Sequence, residues 1–345
     1  MKDNKVRVGI VCLGRSGWGI HARLLEPLKD KYLITAVFDK DPARLKEAAE
    51  KFGCKTFTSY SSFLKDPGYE LAVVATPNKL HSKFSIQALE AGKNVVCEKP
   101  MALSIRDADK MIAAAKKSGR LLTIFQNARY AVDFLKVKEI IGSGVLGRIV
   151  HIRMAWHGFS RRWDWQTLKK FGGGSLNNTG PHPIDQALVL FGETAPGVFC
   201  LRDKALTLGD ADDHVKVVLH GKGAPTVEVE VTSACAYPQE RWLVMGTQGG
   251  LSGTASALKW KYFDPKTLPK RVADESPTPD RSYNSETIQF IEGSWDAKDD
   301  KNPGETGFYL DLYETLTKGG APHITPESVR RQMSVLDKCR KMAPV

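Results

Sequence analysis

The chain has 345 residues, of which 42% are hydrophobic and 26% charged. That composition is ordinary for a soluble globular protein, and the length exceeds one core, so two domains are expected. No apolar run is long enough to span a bilayer, and Met1-Lys2-Asp3-Asn4-Lys5 leads straight into a strand-like segment without a signal-peptide core, so no membrane partner and a cytoplasmic location are expected. The net charge of +11 is dispersed among acidic residues, as in Lys40-Asp41-Pro42-Ala43-Arg44-Leu45-Lys46-Glu47, with no tract that would read nucleic acid. A surface that draws in anionic cofactors or substrates accounts for it better.

Residues 6–13 are mostly apolar, the pattern of a strand buried on both faces. Gly14-Arg15-Ser16-Gly17 then turns the chain into a helix whose free N–H groups and dipole suit a pyrophosphate. The complete glycine pattern would begin at Cys12, where this chain carries a side chain. A second strand, 33–38, ends at Asp39, where a carboxylate can accept the ribose hydroxyls of an adenosine and favours NAD. Lys40 follows directly and would suit the extra phosphate of NADP if Asp39 turned away. The alternation continues with a helix over 42–52, short elements at 56–57 and 61–64, and a Val/Ala-rich strand over 71–76 that stops at Thr76-Pro77-Asn78. A helix starts at His81, a strand over 94–97 is closed by Glu98-Lys99-Pro100, a helix covers 104–118, and a strand covers 121–125. Repeated βα units predict a doubly wound parallel sheet over 1–126, with ligands beyond the strand C-termini.

Past Asn127 the pattern changes. A helix over 132–142 precedes longer, more alternating strands at 147–156, 214–219, 226–234 and 242–245. Such strands predict an α/β domain over 127–345 with a large, mainly antiparallel open sheet. Gly249-Gly250, Gly253 and the Pro/Asp-rich stretch 266–280 read as turns, and 304–318 and 326–343 as helices. A large sheet with a flat apolar face suggests subunit packing, so a homodimer or homotetramer is expected. The six cysteines include no Cys-x-x-Cys pair, and Cys12, Cys54, Cys97, Cys200 and Cys235 read as reduced thiols. His157, Asp164 and His182 lack ligand spacing, so no metal is expected.

Two distant stretches carry the chemistry. Glu98-Lys99-Pro100 puts a lysine at a strand end, and Gly172-Gly173-Gly174-Ser175-Leu176-Asn177-Asn178-Thr179-Gly180-Pro181-His182-Pro183-Ile184-Asp185 puts a histidine just inside a helix. Oxidising a secondary alcohol needs a base for the hydroxyl proton, which a histidine supplies, and a cation for the developing alkoxide, which a lysine supplies. Trp156, Trp163 and Trp165 bracket His157-Gly158-Phe159-Ser160-Arg161-Arg162. This segment reads either as core aromatics or as a loop that stacks on sugar rings and binds hydroxyls or a carboxylate.

These stretches, with Gly14 to Gly17 and His21, Thr76 to Asn78 and His81, and Asn127-Ala128-Arg129-Tyr130, resemble the Gfo/Idh/MocA oxidoreductases, over about residues 6–341. The resemblance implies hydride transfer between a ring secondary alcohol of a sugar, inositol or glycoside and NAD or NADP. It implies Lys99 as the lysine beside the nicotinamide, His182 as the acid/base and Asp185 as a carboxylate ordering substrate or histidine. Cofactor contacts are implied at Cys12, Gly14, Arg15, Ser16, Gly17, Asp39, Lys40, Thr76, Pro77, Asn78, His81, Glu98 and Asn127. The substrate side is expected to draw on Asn178, Arg129, Arg162, Trp163, Trp165 and Tyr309, two of whose arginines would suit an acidic sugar. Asn178 stands where many members carry an aspartate, and an amide takes no proton. Three other readings stay open: an enzyme that keeps NAD bound and cycles between oxidation and reduction, a non-catalytic dinucleotide-binding regulator, and a dihydrodiol or biliverdin type of reductase.

Overall fold

The computed structural model describes residues 5–278 and 281–345. Met1 to Asn4 and the last two residues of the stretch 266–280 lie outside them. The first sheet holds β1 (Val6–Val11), β2 (Tyr32–Phe38), β3 (Lys55–Phe57), β4 (Leu71–Val74), β5 (Asn94–Cys97) and β6 (Leu122–Ile124), in the order β3-β2-β1-β4-β5-β6. Every pairing in it is parallel. All four residues of β4 are buried, because helices cover both faces of the sheet. The strand order reverses between β1 and β4, and the crevice beyond their C-terminal ends is where such sheets take ligands.

The second sheet holds β7 (Ile149–His157), β8 (Gly197–Asp203), β9 (His214–His220), β10 (Thr226–Thr232), β11 (Trp242–Gly246), β12 (Gly249–Gly253), β13 (Ala257–Tyr262) and β14 (Ile291–Asp296), in the order β14-β13-β12-β11-β7-β10-β9-β8. Its pairings are antiparallel apart from β7 with β10. Alternation sets its two faces. Val215, Val217, Leu219, Val227, Val229 and Val231 are buried on one, under the helices Pro181–Phe191 and Pro326–Met342. Lys216 lies on the other, 2.8 Å from Glu228 and 3.3 Å from Glu230.

The expectation of turns at Gly249-Gly250 and Gly253 is corrected: these glycines form β12. A Cβ on Gly249 would lie 2.2 Å from the Lys261 carbonyl oxygen, so the glycine marks a close strand approach and not a break. Strands β8, β13 and β14 were not anticipated, because most of their residues are partly or fully exposed and give little hydrophobic signal.

The two halves share one continuous core. Helix Pro326–Met342 packs on helix Ile105–Ser118 and on β6 as well as on β8. Thr123 donates to the Ile324 carbonyl at 2.8 Å. Helix Gly307–Lys318 buries Phe308, Tyr309 and Leu312, with the Tyr309 ring edge-on to Tyr32 of β2 at 5.5 Å.

Candidate active site

The turn after β1 is built around a backbone that favours glycine. Cys12 sits at φ 73°, in the left-handed region, and so occupies the conformation that a first glycine would adopt without steric cost. Gly17 has no room for a side chain, since a Cβ there would stand 1.9 Å from the Cys12 carbonyl oxygen. At Gly14 the same atom would meet nothing closer than Arg44 at 3.9 Å, so this stretch of backbone is open to a ligand. Burial pushes the Cys12 thiol up to about 12, and Asp39 adds to the effect, so the thiol stays protonated. Residues Gly17–Ala22 wind as a π-helix, a form that recurs at functional sites.

Asp39 is buried at the end of β2 and accepts from Leu13 N at 2.6 Å and Asp41 N at 2.9 Å. The carboxylate therefore ties the turn to the second strand. Arg44 stands 3.8 Å from it, and Lys40 and Arg15 are exposed nearby in the chain, with Ser16 half-buried.

Glu98 faces the same crevice from β5. One oxygen accepts from Lys99 N at 2.9 Å and the other lies 3.3 Å from His21 Nε2. Burial opposes its ionisation, but the neighbouring His21, Lys99 and His81 outweigh it and hold the carboxyl at about 2. His21 is fully buried, and its Nδ1 lies 2.7 Å from the Tyr309 hydroxyl. Tyr309 is thus 0% exposed behind the cofactor crevice, which corrects the expectation that it lines the substrate pocket. His81 is corrected too. Its ring nitrogens lie 2.7 and 2.8 Å from the carbonyl oxygens of Pro100 and Thr76, so it braces two loops and has no nitrogen left for a cofactor. Thr76 keeps a buried hydroxyl with no partner among the described residues, Pro77 is half-buried, and Asn127 donates to Glu305 at 2.7 Å.

Asn178 joins the two domains. Its Oδ1 accepts from Asn78 Nδ2 at 3.0 Å, its Nδ2 donates to the Gln166 carbonyl at 2.9 Å, and its own carbonyl accepts from Lys99 Nζ at 2.7 Å. The short helix Ser175–Asn178 that carries it is held from below. Ser175 N donates to the Asp212 carbonyl at 2.7 Å, Leu176 N to the Asp212 carboxylate at 2.8 Å, and Arg340 to Asn177 Oδ1 at 2.9 Å. His182 occupies the first turn of the next helix, its ring parallel to Trp156 within 7° at 6.0 Å. Its Nδ1 is buried without a partner among the described residues. Burial, then the Lys99 ammonium, pushes His182 well below its usual pKa, so the ring is neutral. Burial likewise lowers Lys99, against the pull of Glu98.

The expected substrate residues separate. Asp185 is 1% exposed and both its oxygens bind Arg129, at 2.6 and 2.8 Å. This closed pair corrects the expectation that Asp185 orders substrate or His182 and that Arg129 binds an acid. Arg162 forks onto Asp164 at 2.9 and 2.8 Å in an exposed loop, with Trp163 77% exposed beside it. Trp165 packs edge-on to Phe171 at 6.4 Å. A cavity of about 600 Å³ opens instead next to the His182–Trp156 stack, lined by Trp156, Ser175, Thr179, Ser233 and Arg241 among others. Arg241 and Gln166 carried no signal in the sequence, since neither belongs to a motif.

The crevice fits a dinucleotide on the structure's own terms: an open Gly14 backbone, an anchored acid at Asp39, an unpartnered Thr76 hydroxyl, and an unpartnered His182 beside an ammonium group.

Comparison with known proteins agrees. Residues 6–126 match the family described as "Oxidoreductase family, NAD-binding Rossmann fold", and residues 134–252 match "GFO/IDH/MocA C-terminal domain". The chain is 31% identical to myo-inositol 2-dehydrogenase of Thermotoga maritima over 71% of this chain and 74% of that one. It is 28% identical to scyllo-inositol 2-dehydrogenase (NADP(+)) of Bacillus subtilis over 94% and 90%. An NAD-binding protein from Listeria innocua superposes with a TM-score of 0.81 at 27% identity, covering 99% of this chain and 97% of that one. The crevice, the Lys99 strand end and the two matched domains together make this chain a member of the Gfo/Idh/MocA family of oxidoreductases.

Proposed function

We propose that the protein is an NAD(P)-dependent dehydrogenase that oxidises a ring secondary alcohol of a sugar, inositol or glycoside. The observation that carries this reading is the bond from Lys99 of the first domain to the Asn178 carbonyl of the second, four residues before a neutral, half-buried His182. The two inositol dehydrogenases among the relatives support the substrate class.

The nicotinamide, when bound, accepts or returns the hydride at the alcohol carbon. His182 receives the hydroxyl proton, because burial and Lys99 keep its ring neutral at physiological pH. Lys99 stabilises the developing alkoxide through its ammonium group, which the Asn178 carbonyl aims. Asn178 itself moves no proton. Cofactor binding falls to the Cys12-to-Gly17 turn, Asp39, Thr76, Asn78 and Glu98, with NAD favoured by Asp39. Lys40, next to Asp39 in the chain, and Arg44, 3.8 Å from its carboxylate, would suit the extra phosphate of NADP.

The reading extends to a cytoplasmic protein, where the six free thiols stay reduced. It also extends to a homo-oligomer joined through the open face of the second sheet, where Leu243, Met245, Phe263 and Phe290 line a cavity of about 980 Å³.

The test is NADH and NADPH formation across polyols, aldoses, glycosides and uronic acids, alongside Lys99→Met. Turnover with one class, cut at least about tenfold by Lys99→Met with cofactor affinity kept, is expected. Unchanged turnover in that variant removes Lys99 from the mechanism. No turnover of free NAD(P) by protein that carries bound nucleotide favours the internally cycling enzyme.

A further inference from the structure

We infer that the substrate carries a carboxylate, and that Arg241 receives it in the cavity beside the His182–Trp156 stack. This rests on the dehydrogenase reading and names its substrate class more narrowly.

Arginine 241 precedes β11 and lines the 600 Å³ cavity. Two contacts fix its guanidinium. Its Nε forms an ion pair at 3.2 Å with Asp133, a buried carboxylate that accepts from Trp242 Nε1 at 2.9 Å. Its central carbon lies 3.9 Å from the centre of the Trp156 ring. Trp156 in turn stacks parallel to His182. His182 and the guanidinium are therefore both placed against the same indole ring.

The approach to Asp133 is through Nε and falls short of a hydrogen bond, and neither terminal nitrogen has a hydrogen bond to another described residue. A guanidinium held in place with both terminal amino groups unspent is a receptor for a planar, two-oxygen anion. The fork is set before the ligand arrives, so little side-chain freedom is lost on binding. Burial already pushes the Arg241 pKa down, which an incoming anion would relieve.

The rest of the cavity wall is suited to neutral hydroxyls, with Ser175, Thr179 and Ser233 on it. Two carboxylates stand near and both are engaged. Glu240 bonds to Ser252, and Glu230 lies 3.4 Å from His157 and 3.3 Å from Lys216. The other arginines that would suit an acid are closed by their own partners, Arg129 by Asp185 and Arg162 by Asp164. Arg241 is the cation of this cavity that keeps donors to spare.

The experiment pairs each uronate with its neutral aldose: D-glucuronate with D-glucose, D-galacturonate with D-galactose, and D-mannuronate with D-mannose. The protein is saturated with NAD or NADP, binding is read by calorimetry, and turnover by cofactor absorbance. At least one uronate is expected to bind and react at least about tenfold better than its neutral partner, mostly through KM. Arg241→Lys, which keeps charge but loses the fork, should shrink that ratio several-fold. The double variant Arg241→Gln with Asp133→Asn leaves no buried charge unpaired and should bring the ratio close to one.

Turnover of neutral sugars with no gain for any uronate overturns the carboxylate assignment and leaves the dehydrogenase reading standing. So does a uronate preference that survives the double variant while its melting temperature shows it folded. Arg241-dependent uronate binding without cofactor reduction supports the carboxylate site and overturns the dehydrogenase reading. Absence of both binding and turnover across the panel overturns both.

Discussion

At the scale of single residues, the amide at position 178 is fixed by its neighbours. Its oxygen accepts from Asn78 Nδ2 and its amide nitrogen donates to the Gln166 carbonyl, two roles that an ionised carboxylate cannot fill together. An aspartate there would set an oxygen against the Gln166 carbonyl and lose a buried hydrogen bond, at a cost of about 1–3 kcal/mol. Asn178→Asp is therefore expected to lower the melting temperature by several degrees without raising turnover. A tenfold gain in kcat with no thermal loss would show that the amide is not structural.

Glu98 gives a pH prediction. Its folded pKa is depressed from 4.5 to about 2, so its stabilisation is complete above the unfolded value and is lost as pH falls from there towards 2. The shift corresponds to about 3 kcal/mol as an order of magnitude. Urea unfolding of Glu98→Gln should show a weaker acid dependence below pH ~4.5 than the parent shows. Identical acid slopes would remove Glu98 from the account. His182 is depressed as well, so kcat/KM should stay level through pH 6.5 and fall only well below it. An acid limb at or above 6.5 would mean that another group accepts the proton.

At the scale of elements, the proposed function rests cofactor binding on the turn between β1 and its helix. The Cys12 carbonyl folds so closely over Gly17 that any side chain there forces the turn open. Gly17→Ala should lose at least about tenfold in dinucleotide affinity, measured by quenching of protein fluorescence, while circular dichroism stays unchanged. Wild-type affinity in this variant would place the pyrophosphate elsewhere. The short helix Ser175–Asn178 is the second such element. It lies over the Asp212 carboxylate, whose other oxygen takes Arg202 at 2.6 Å, and so presents Asn178 from a rigid support.

For the whole molecule, the large sheet has one face buried under helices and one face open. On the open side, Met245 is 46% exposed and Phe290 42%, and with Leu243 and Phe263 they line one hollow of apolar side chains. Sedimentation should show a dimer or a larger even-numbered assembly, and Met245→Glu should shift it towards monomer. A parent chain that sediments as a monomer at micromolar concentration would remove this face as an interface.

The doubly wound first domain and the mainly antiparallel second sheet were legible in the sequence, and Lys99 and His182 stood out there as candidates. Each rests on local pattern: buried runs between turns, a glycine-rich turn, and chemically distinctive residues beside Gly and Pro. What only the tertiary structure decided was pairing. Asp185 and Arg129 are 56 residues apart and close on each other, and Tyr309 reaches His21 across 288 residues. Side-chain chemistry is local, but whether a charge or hydroxyl is free depends on the partner that folding brings to it. For the same reason Arg241, one basic residue among 50, could be recognised as a candidate only once Asp133 and Trp156 were seen to hold it.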